Sequence, residues 1–379
     1  MPDVYHRTAL ARDMARQLLE PKVLDLPLRS GLFLSGLRRT GKTTFLRQDL
    51  IPALETGEWG PGGHGRPAVV IYVDLWSNVS IPPAELILRA VRAKLRELEN
   101  PASAIWSGLK RITSAEVATH GFKFKFDLSK LGEEGGATLA DAFTQVVDEA
   151  KTDLVLIVDE VQECLGREDA QALMQALKAA RDAINLRQTT PGYFLFIGTG
   201  SHRSLVQEMT VRRKEAFAGA VNVDYPVLDE GFVSWVLEQM QAQGIAVQPS
   251  PAAAWQAFRD LGHRPEPFLD ALRILDHTVK AGEDTDAMLR AVVWTKRASL
   301  ADRELAVLED LGPLAQRIFS RIASHEGEEA RGIYSNEALE DYTAALGTEV
   351  RADEVQTTVI ALQQKNLIRR MGHGAYSIT

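Results

Sequence analysis

Gly31–Thr44 reads GLFLSGLRRTGKTT, and its last nine residues decide the fold. Gly36, Gly41, Lys42 and Thr43 fill the spacing G-x-x-x-x-G-K-[ST], with the apolar Leu32–Leu34 before them and the helix-like Phe45, Leu46, Leu50 and Ile51 after them. Strand, glycine loop and helix, in that order, is the context in which this spacing binds phosphate. Glycine lets the loop close on phosphate oxygens, the backbone N–H groups opening the helix point at the anion, and Lys42 adds a full positive charge. Thr43 offers its hydroxyl to Mg2+. The expected cradle is therefore Gly36, Arg38, Arg39, Thr40, Gly41, Lys42, Thr43 and Thr44.

A loop of this kind needs an acidic partner, and Asp153–Gln162 (DLVLIVDEVQ) supplies a candidate. Its apolar run Leu154–Val158 ends in Asp159 and Glu160, which puts two carboxylates at the C-terminal edge of a buried strand, where open α/β sheets bind ligands. Asp159 is placed to hold Mg2+, usually through water, and Glu160 to polarise an attacking water. Downstream, Gly192–Gly198 (GYFLFIG) reads as another buried strand, ending in Thr199, Gly200 and Ser201. Thr199 either senses the γ-phosphate or closes an ordinary strand-ending turn. Arg203, Arg212, Arg213 and Lys214 then form the densest positive cluster outside the loop. That cluster is either a solvated basic patch or the source of an arginine that stabilises transition-state charge in a neighbour.

The rest of the chain frames these segments. With 379 residues, 45% hydrophobic and 25% charged, two or three domains are expected. No run approaches the roughly 18 apolar residues of a membrane span, and charges at the N-terminus replace a signal peptide's apolar stretch, so the expected location is the cytoplasm. Cys164 is the only cysteine, which excludes an internal disulfide and a cysteine-built zinc site and leaves a buried, inert thiol. The eight histidines are scattered, with no pair at metal-ligand spacing. A formal net charge of -8 disfavours non-specific binding to nucleic acid or anionic membrane by the whole molecule.

Apolar spacing predicts helices over 8–19, from Pro82 and Pro83 through Leu98, over 138–150 and near 170–186, and a buried strand over 67–75. Gly121–Leu128 (GFKFKFDL) alternates phenylalanine with charge, as a half-exposed strand or hairpin does, and is expected to be an insertion, with a stacking surface for bases as the alternative. From Asp229 the strand signals stop. Helices are predicted over 231–243, 252–261, 266–281 and 285–300, with Gly262-His263-Arg264-Pro265 breaking between the second and third.

In that order, GLRRTGKTT, VLIVDEVQ, FLFIGTG and the helical segment with GHRP resemble the archaeal-ATPase-like branch of the AAA+ and STAND P-loop ATPases, a branch close to the origin-recognition initiators. The resemblance covers roughly residues 1–300. It implies an ATP-binding αβα sandwich with a parallel sheet, with Lys42 on the phosphates, Thr43 and Asp159 on Mg2+, Glu160 as catalytic carboxylate and Thr199 as sensor. It also places Tyr5, His6 and Arg7 beside the adenine and Pro265 in the lid's glycine-x-x-proline turn. Many members carry an arginine after the glycine of EAFAGAV; this chain has Ala220 after Gly219, so any arginine finger falls to Arg212 or Arg213.

The tail resembles a winged helix: helices over 311–323, 335–346 and 353–365, then a hairpin over 367–378. The expected division is an ATPase core over 1–226, a helical lid over 227–300 and a winged-helix domain over 301–379. A third helix of this kind often enters the DNA major groove, here with Gln356, Thr357, Gln363, Gln364 and Lys365, and with Arg369, Arg370 and His373 on the wing. Yet residues 303–379 hold eight Lys or Arg against twelve Asp or Glu, the wrong sign for a phosphate-driven grip. Residues 351–373 therefore either bind double-stranded DNA or pack against the ATPase core or a protein effector. The functional expectation is an ATP-hydrolysing switch that forms homo-oligomers according to its nucleotide state, acting on DNA, or else a signalling or defence ATPase acting on protein.

Overall fold

The computed structural model describes residues 4–60, 65–103, 106–109, 121–133, 135–280, 283–325, 329–372 and 374–378. The chain divides into two compact units. The first holds the chain through Gly36, Lys42–Ser201 and Val206–Tyr225; the second holds Leu37–Gly41, His202–Leu205 and the chain from Pro226 onward.

In the first unit, β1 (Leu32–Ser35), β2 (Val69–Asp74), β3 (Leu154–Asp159), β4 (Phe194–Gly200) and β5 (Val221–Asp224) form a sheet in the order β2-β3-β4-β1-β5, with every pairing parallel. The unbroken apolar run of β3 is explained by its neighbours, because both faces are covered. On one face Leu154, Leu156 and Val158 pack with α4 (Pro83–Glu99), α5 (Leu139–Ala150) and α6 (Glu168–Asn185) through Val91, Leu95, Phe143 and Leu177. On the other, Val155 and Ile157 meet Ala15 and Leu18 of α1 (Thr8–Leu19) and the segment after the loop. That segment is α2 (Lys42–Phe45), a wide π-type turn over Leu46–Leu50, and α3 (Ile51–Thr56). The expected αβα sandwich is the architecture found.

Three local features go beyond the apolar pattern. Strand β4 runs through Thr199 to Gly200, and the Gly200 carbonyl accepts from the Gly36 N–H at 3.1 Å, tying it to the end of β1. GFKFKFDL forms no strand. Phe122 is buried, Phe124 and Phe126 pack half-buried on the same core, and the three rings follow one another at 5.9 and 5.5 Å. The alternation is obeyed by an extended segment with one face inside, so these rings help to cover the core. Finally, β5 is an edge strand that the apolar pattern does not announce, since its sequence VNVD carries polar Asn222 and Asp224.

In the second unit, α8 (Glu230–Ala242), α9 (Pro251–Asp260), α10 (Pro265–Thr278) and α11 (Thr285–Asp310) are the expected lid helices. Helix α11 continues past the predicted end at Leu300, because no breaker occurs before Gly312-Pro313. Then come α12 (Pro313–Ala323), β6 (Ala330–Arg331), α13 (Asn336–Leu346), α14 (Ala352–Gln364), β7 (Ile368–Gly372) and β8 (Ala375–Ile378). The three strands form an antiparallel sheet in the order β6-β8-β7, around a core that includes Ile318, Tyr342, Val359 and Ile368. Helix, short strand, two helices and hairpin is the winged-helix order. No helix among the described residues is long and apolar enough to cross a membrane.

Candidate functional site

Sheet order decides what meets at the C-terminal edge. Strand β4 lies between β1, which leads into the glycine loop, and β3, which carries the acids; Thr199 is level with Leu34 on one side and Asp159 on the other. Residues far apart in the chain therefore converge. Thr43 donates its hydroxyl to Asp159 Oδ2 at 2.7 Å across 116 positions of sequence. The Thr199 hydroxyl donates to Asp159 Oδ1. Buried Lys42 places its Nζ 2.7 Å from the Gly36 carbonyl.

Two further donors to Asp159 were not expected from the sequence. Tyr72 donates its hydroxyl to Oδ2 at 3.2 Å, and the Glu160 N–H donates to Oδ1 at 3.1 Å. Burial first, and then the carboxylates of Asp159 and Asp74, push the Tyr72 phenol well above its ordinary range, so it stays a neutral donor.

Glu160 has left-handed backbone, φ 57° and ψ 43°, uncommon outside glycine and frequent where a functional side chain must be aimed. Its Oε2 accepts from Gln162 Nε2 at 2.5 Å, from the Ser201 hydroxyl at 2.9 Å and from the Ser201 N–H at 3.2 Å. One oxygen is thus clamped. Oε1 accepts no hydrogen bond among the described residues, and is the oxygen left to face a reactant.

Gly200 makes room for this clamp. A Cβ there would overlap Gln162 Oε1 and lie 2.5 Å from Val206 Cγ2. Gly200→Ala is accordingly expected to cost about 1–3 kcal/mol in stability by overpacking and to shift Gln162 off Glu160. Thermal unfolding reads the cost, and a variant as stable as wild type would refute this role for Gly200.

An ATP phosphate chain with Mg2+ fits these residues. Gly41 has φ +87° with nothing within 4 Å of where a Cβ would be, so the backbone there is open to an approaching oxygen. Thr43 and Asp159 bring two hard oxygens together, and no group of three or more His, Cys, Asp or Glu able to hold a metal occurs among the described residues. Two protein oxygens suit Mg2+, which keeps several waters and substrate phosphates in its shell.

The fold matches known structures closely enough to classify. The chain superposes on the Aeropyrum pernix ORC2 protein in its ADP form with TM-score 0.52 at 14% identity, covering 100% of this chain and 90% of that one. It superposes on the ADPNP-ADP complexes of the same protein with TM-score 0.51, at the same identity and shares. The chain therefore has the fold of that ORC2 protein. No protein-family model matches the chain, and no curated protein matches its sequence.

The remaining candidates take up varied positions in this fold. Asp49, buried in the wide turn after α2, accepts from the Arg7 N–H at 3.1 Å and lies 2.7 Å from His6 Nδ1. The Arg7 guanidinium sits 5.3 Å from the centroid of the Tyr225 ring. His6 and Arg7 are thereby tied to the turn that follows the glycine loop's helix, and Arg7 also to Tyr225. Asp49 and Tyr225 were not legible as their anchors.

Within the second unit, the Thr40 hydroxyl braces the loop by donating to the Leu37 carbonyl at 2.8 Å, and Arg39, with φ 64°, pairs with Glu266 at 2.9 Å. Arg38 and Arg39 are exposed, as is Thr44 in the first unit. Pro265 opens α10, and His263 before it is used in packing, with Nδ1 at 3.1 Å from the Leu228 carbonyl and its ring edge-on to Trp255 and Phe258. Arg212 and Arg213 are exposed just beyond α7 (Arg203–Val211); Arg212 pairs with Glu208 one turn back. No hydrogen bond or ion pair among the described residues joins either arginine to Lys42, Thr43, Asp159 or Glu160.

On α14 and at its C-cap, Gln356, Thr357, Gln364 and Lys365 are exposed, while the Gln363 carbonyl accepts from the Ser204 hydroxyl at 3.1 Å. Across the hairpin, Arg369 donates through Nε to Ser377 Oγ at 3.0 Å, and Arg370 is exposed. His373 lies outside the described residues.

Proposed function

We propose that this chain is an ATP-hydrolysing switch whose nucleotide state controls its assembly and its engagement of duplex DNA through the winged helix. One observation carries the reading: the Thr43–Asp159 hydrogen bond, which joins the glycine loop's helix to the acidic strand beside Lys42 and Glu160. ADP- and ADPNP-bound states of the ORC2 protein, which shares the fold, agree with a nucleotide ligand.

In this reading Lys42 and the N–H groups opening α2 bind the phosphates of ATP, and Thr43 with Asp159 holds Mg2+. That ion, when bound, draws charge from the phosphate oxygens. Glu160 Oε1 orients a water and takes its proton as the water oxygen bonds to the γ-phosphorus and the bond to the β-γ bridging oxygen breaks, giving ADP and phosphate. Gln162 and Ser201 keep the carboxylate aimed, and Thr199 reports the γ-phosphate through Asp159. Loss of that phosphate removes the ligand that orders the core, the lid and a neighbouring subunit. Tyr5, His6 and Arg7 flank the adenine, Pro265 belongs to the lid's turn, and Arg212 or Arg213 serves a neighbour's site. The division into core, lid and winged helix at 226 and 300 belongs to the same proposal.

For DNA, the cations are Lys365, which caps the C-terminus of α14, and Arg369 and Arg370 on β7. Replacing Arg369 and Arg370 by glutamate is expected to weaken duplex binding by at least about tenfold and to reduce the salt slope by about two. Fluorescence anisotropy with the Glu160→Gln protein and ATP measures both. Unchanged affinity, or no binding by the parent, would refute the DNA part.

A second reading has its own support. Arg317, Arg331 and Arg351 are paired with Asp341, Glu329 and Asp353, so the module spends cations on its own acids and suits a protein effector. ATP turnover stimulated by duplex DNA favours the first reading; turnover indifferent to DNA favours the second.

A further inference from the structure

Helix α11 presents an apolar face that no described residue covers. Its inner side, Leu289 and Val293, is buried, and α11 packs against α9 and α10. On the opposite side, Ala291, Trp294, Ala298, Ala301 and Leu305 follow one another at intervals of three, four, three and four residues, and all are exposed, Trp294 at 73% and Leu305 at 52%. This is the heptad spacing of a two-helix seam. A solvated helix face has no reason to carry a tryptophan and a leucine in that register.

Charge on the flanks selects the occupant. Arg297 and Glu304 border the seam on the same edge, one heptad apart, and neither forms an ion pair within the chain among the described residues. If a second copy of α11 packs antiparallel with Ala298 and Ala301 at the centre, Arg297 of each copy faces Glu304 of the other, and Trp294 covers Leu305. Two-fold symmetry makes each contact twice. A parallel pair sets Arg297 beside Asp302 but also Glu304 against Glu309, like against like, so the flanks favour the antiparallel form. The alanines at the centre let the two helices approach closely.

We infer that the outer face of α11 is a self-association surface, and that its partner is the antiparallel α11 of a second copy of this chain. The contact needs no nucleotide, so it stands or falls separately from the ATPase reading.

Light scattering after size exclusion, on the full chain without nucleotide at low salt and increasing concentration, tests this. Wild type is expected to approach twice the mass of one chain, and Trp294→Ser to remain single. Arg297→Glu and Glu304→Arg should each weaken association by about tenfold, and the two together should restore it. Trp294, Arg297 and Glu304 are all exposed, so folding is not at stake. Single-chain mass for wild type throughout, association unaffected by Trp294→Ser, or a double reversal no better than the single ones would overturn the inference.

Discussion

Glu160→Gln is expected to slow ATP turnover by about 10²–10⁴-fold, the usual contribution of a positioned general base, while leaving ATP affinity within a few-fold of wild type. The amide keeps nearly the same volume, and its oxygen still accepts from Ser201 and Gln162, so the change removes the proton acceptor and little else. Single-turnover kinetics beside equilibrium ATP binding separates the two effects. Equal turnover in variant and parent would remove Glu160 from the chemistry. Lost turnover together with lost binding would assign it to ligand affinity instead. The clamp on Oε2 adds a finer expectation: Gln162→Leu should lower kcat more than it raises KM, because it releases the carboxylate without touching the phosphates.

Asp159→Asn should lower turnover by at least about a hundredfold, since metal stabilisation of charge in the transition state is worth several kcal/mol and each step of about 1.4 kcal/mol is a factor of ten. The Mg2+ concentration for half-maximal activity should rise with it. Asp159 is 1% exposed and gathers the hydroxyls of Thr43, Thr199 and Tyr72. An asparagine oxygen can accept some of these bonds but brings no charge for the metal. Activity titrated against Mg2+ in both proteins is the measurement. A variant with wild-type Mg2+ dependence would mean that Asp159 organises hydroxyls without holding a cation.

How far these sites could be read from residues alone depends on the range of the interaction. The glycine loop and the Asp159-Glu160 pair announce themselves because each sits at the end of a short apolar run, and a run without polar alternation means a strand covered on both faces. Their meeting is a property of sheet order. Nothing in FLFIGTG says that β4 separates β1 from β3, so the bridge from Thr199 to Asp159 appears only in three dimensions. Gln162 and Ser201 stayed hidden for a similar reason: they reach one oxygen only because Glu160 adopts left-handed backbone and Gly200 leaves space.

Asp49 is brought inward by the wide turn after α2, an irregularity that no periodicity encodes. GFKFKFDL marks the opposite limit. Period-two alternation reports an extended chain with one face buried, and it says nothing about whether a neighbouring strand is there to pair with it.

Titration of ATP with Mg2+ into the wild-type and Lys42→Ala proteins, followed by calorimetry, tests the central claim most directly. Wild type should show saturable binding at one site per chain. The variant should bind about ten- to a hundredfold more weakly, the loss expected for a hydrogen bond from a charged group. No binding by wild type, or equal affinity in both proteins, would contradict a triphosphate site built on Lys42 and Asp159.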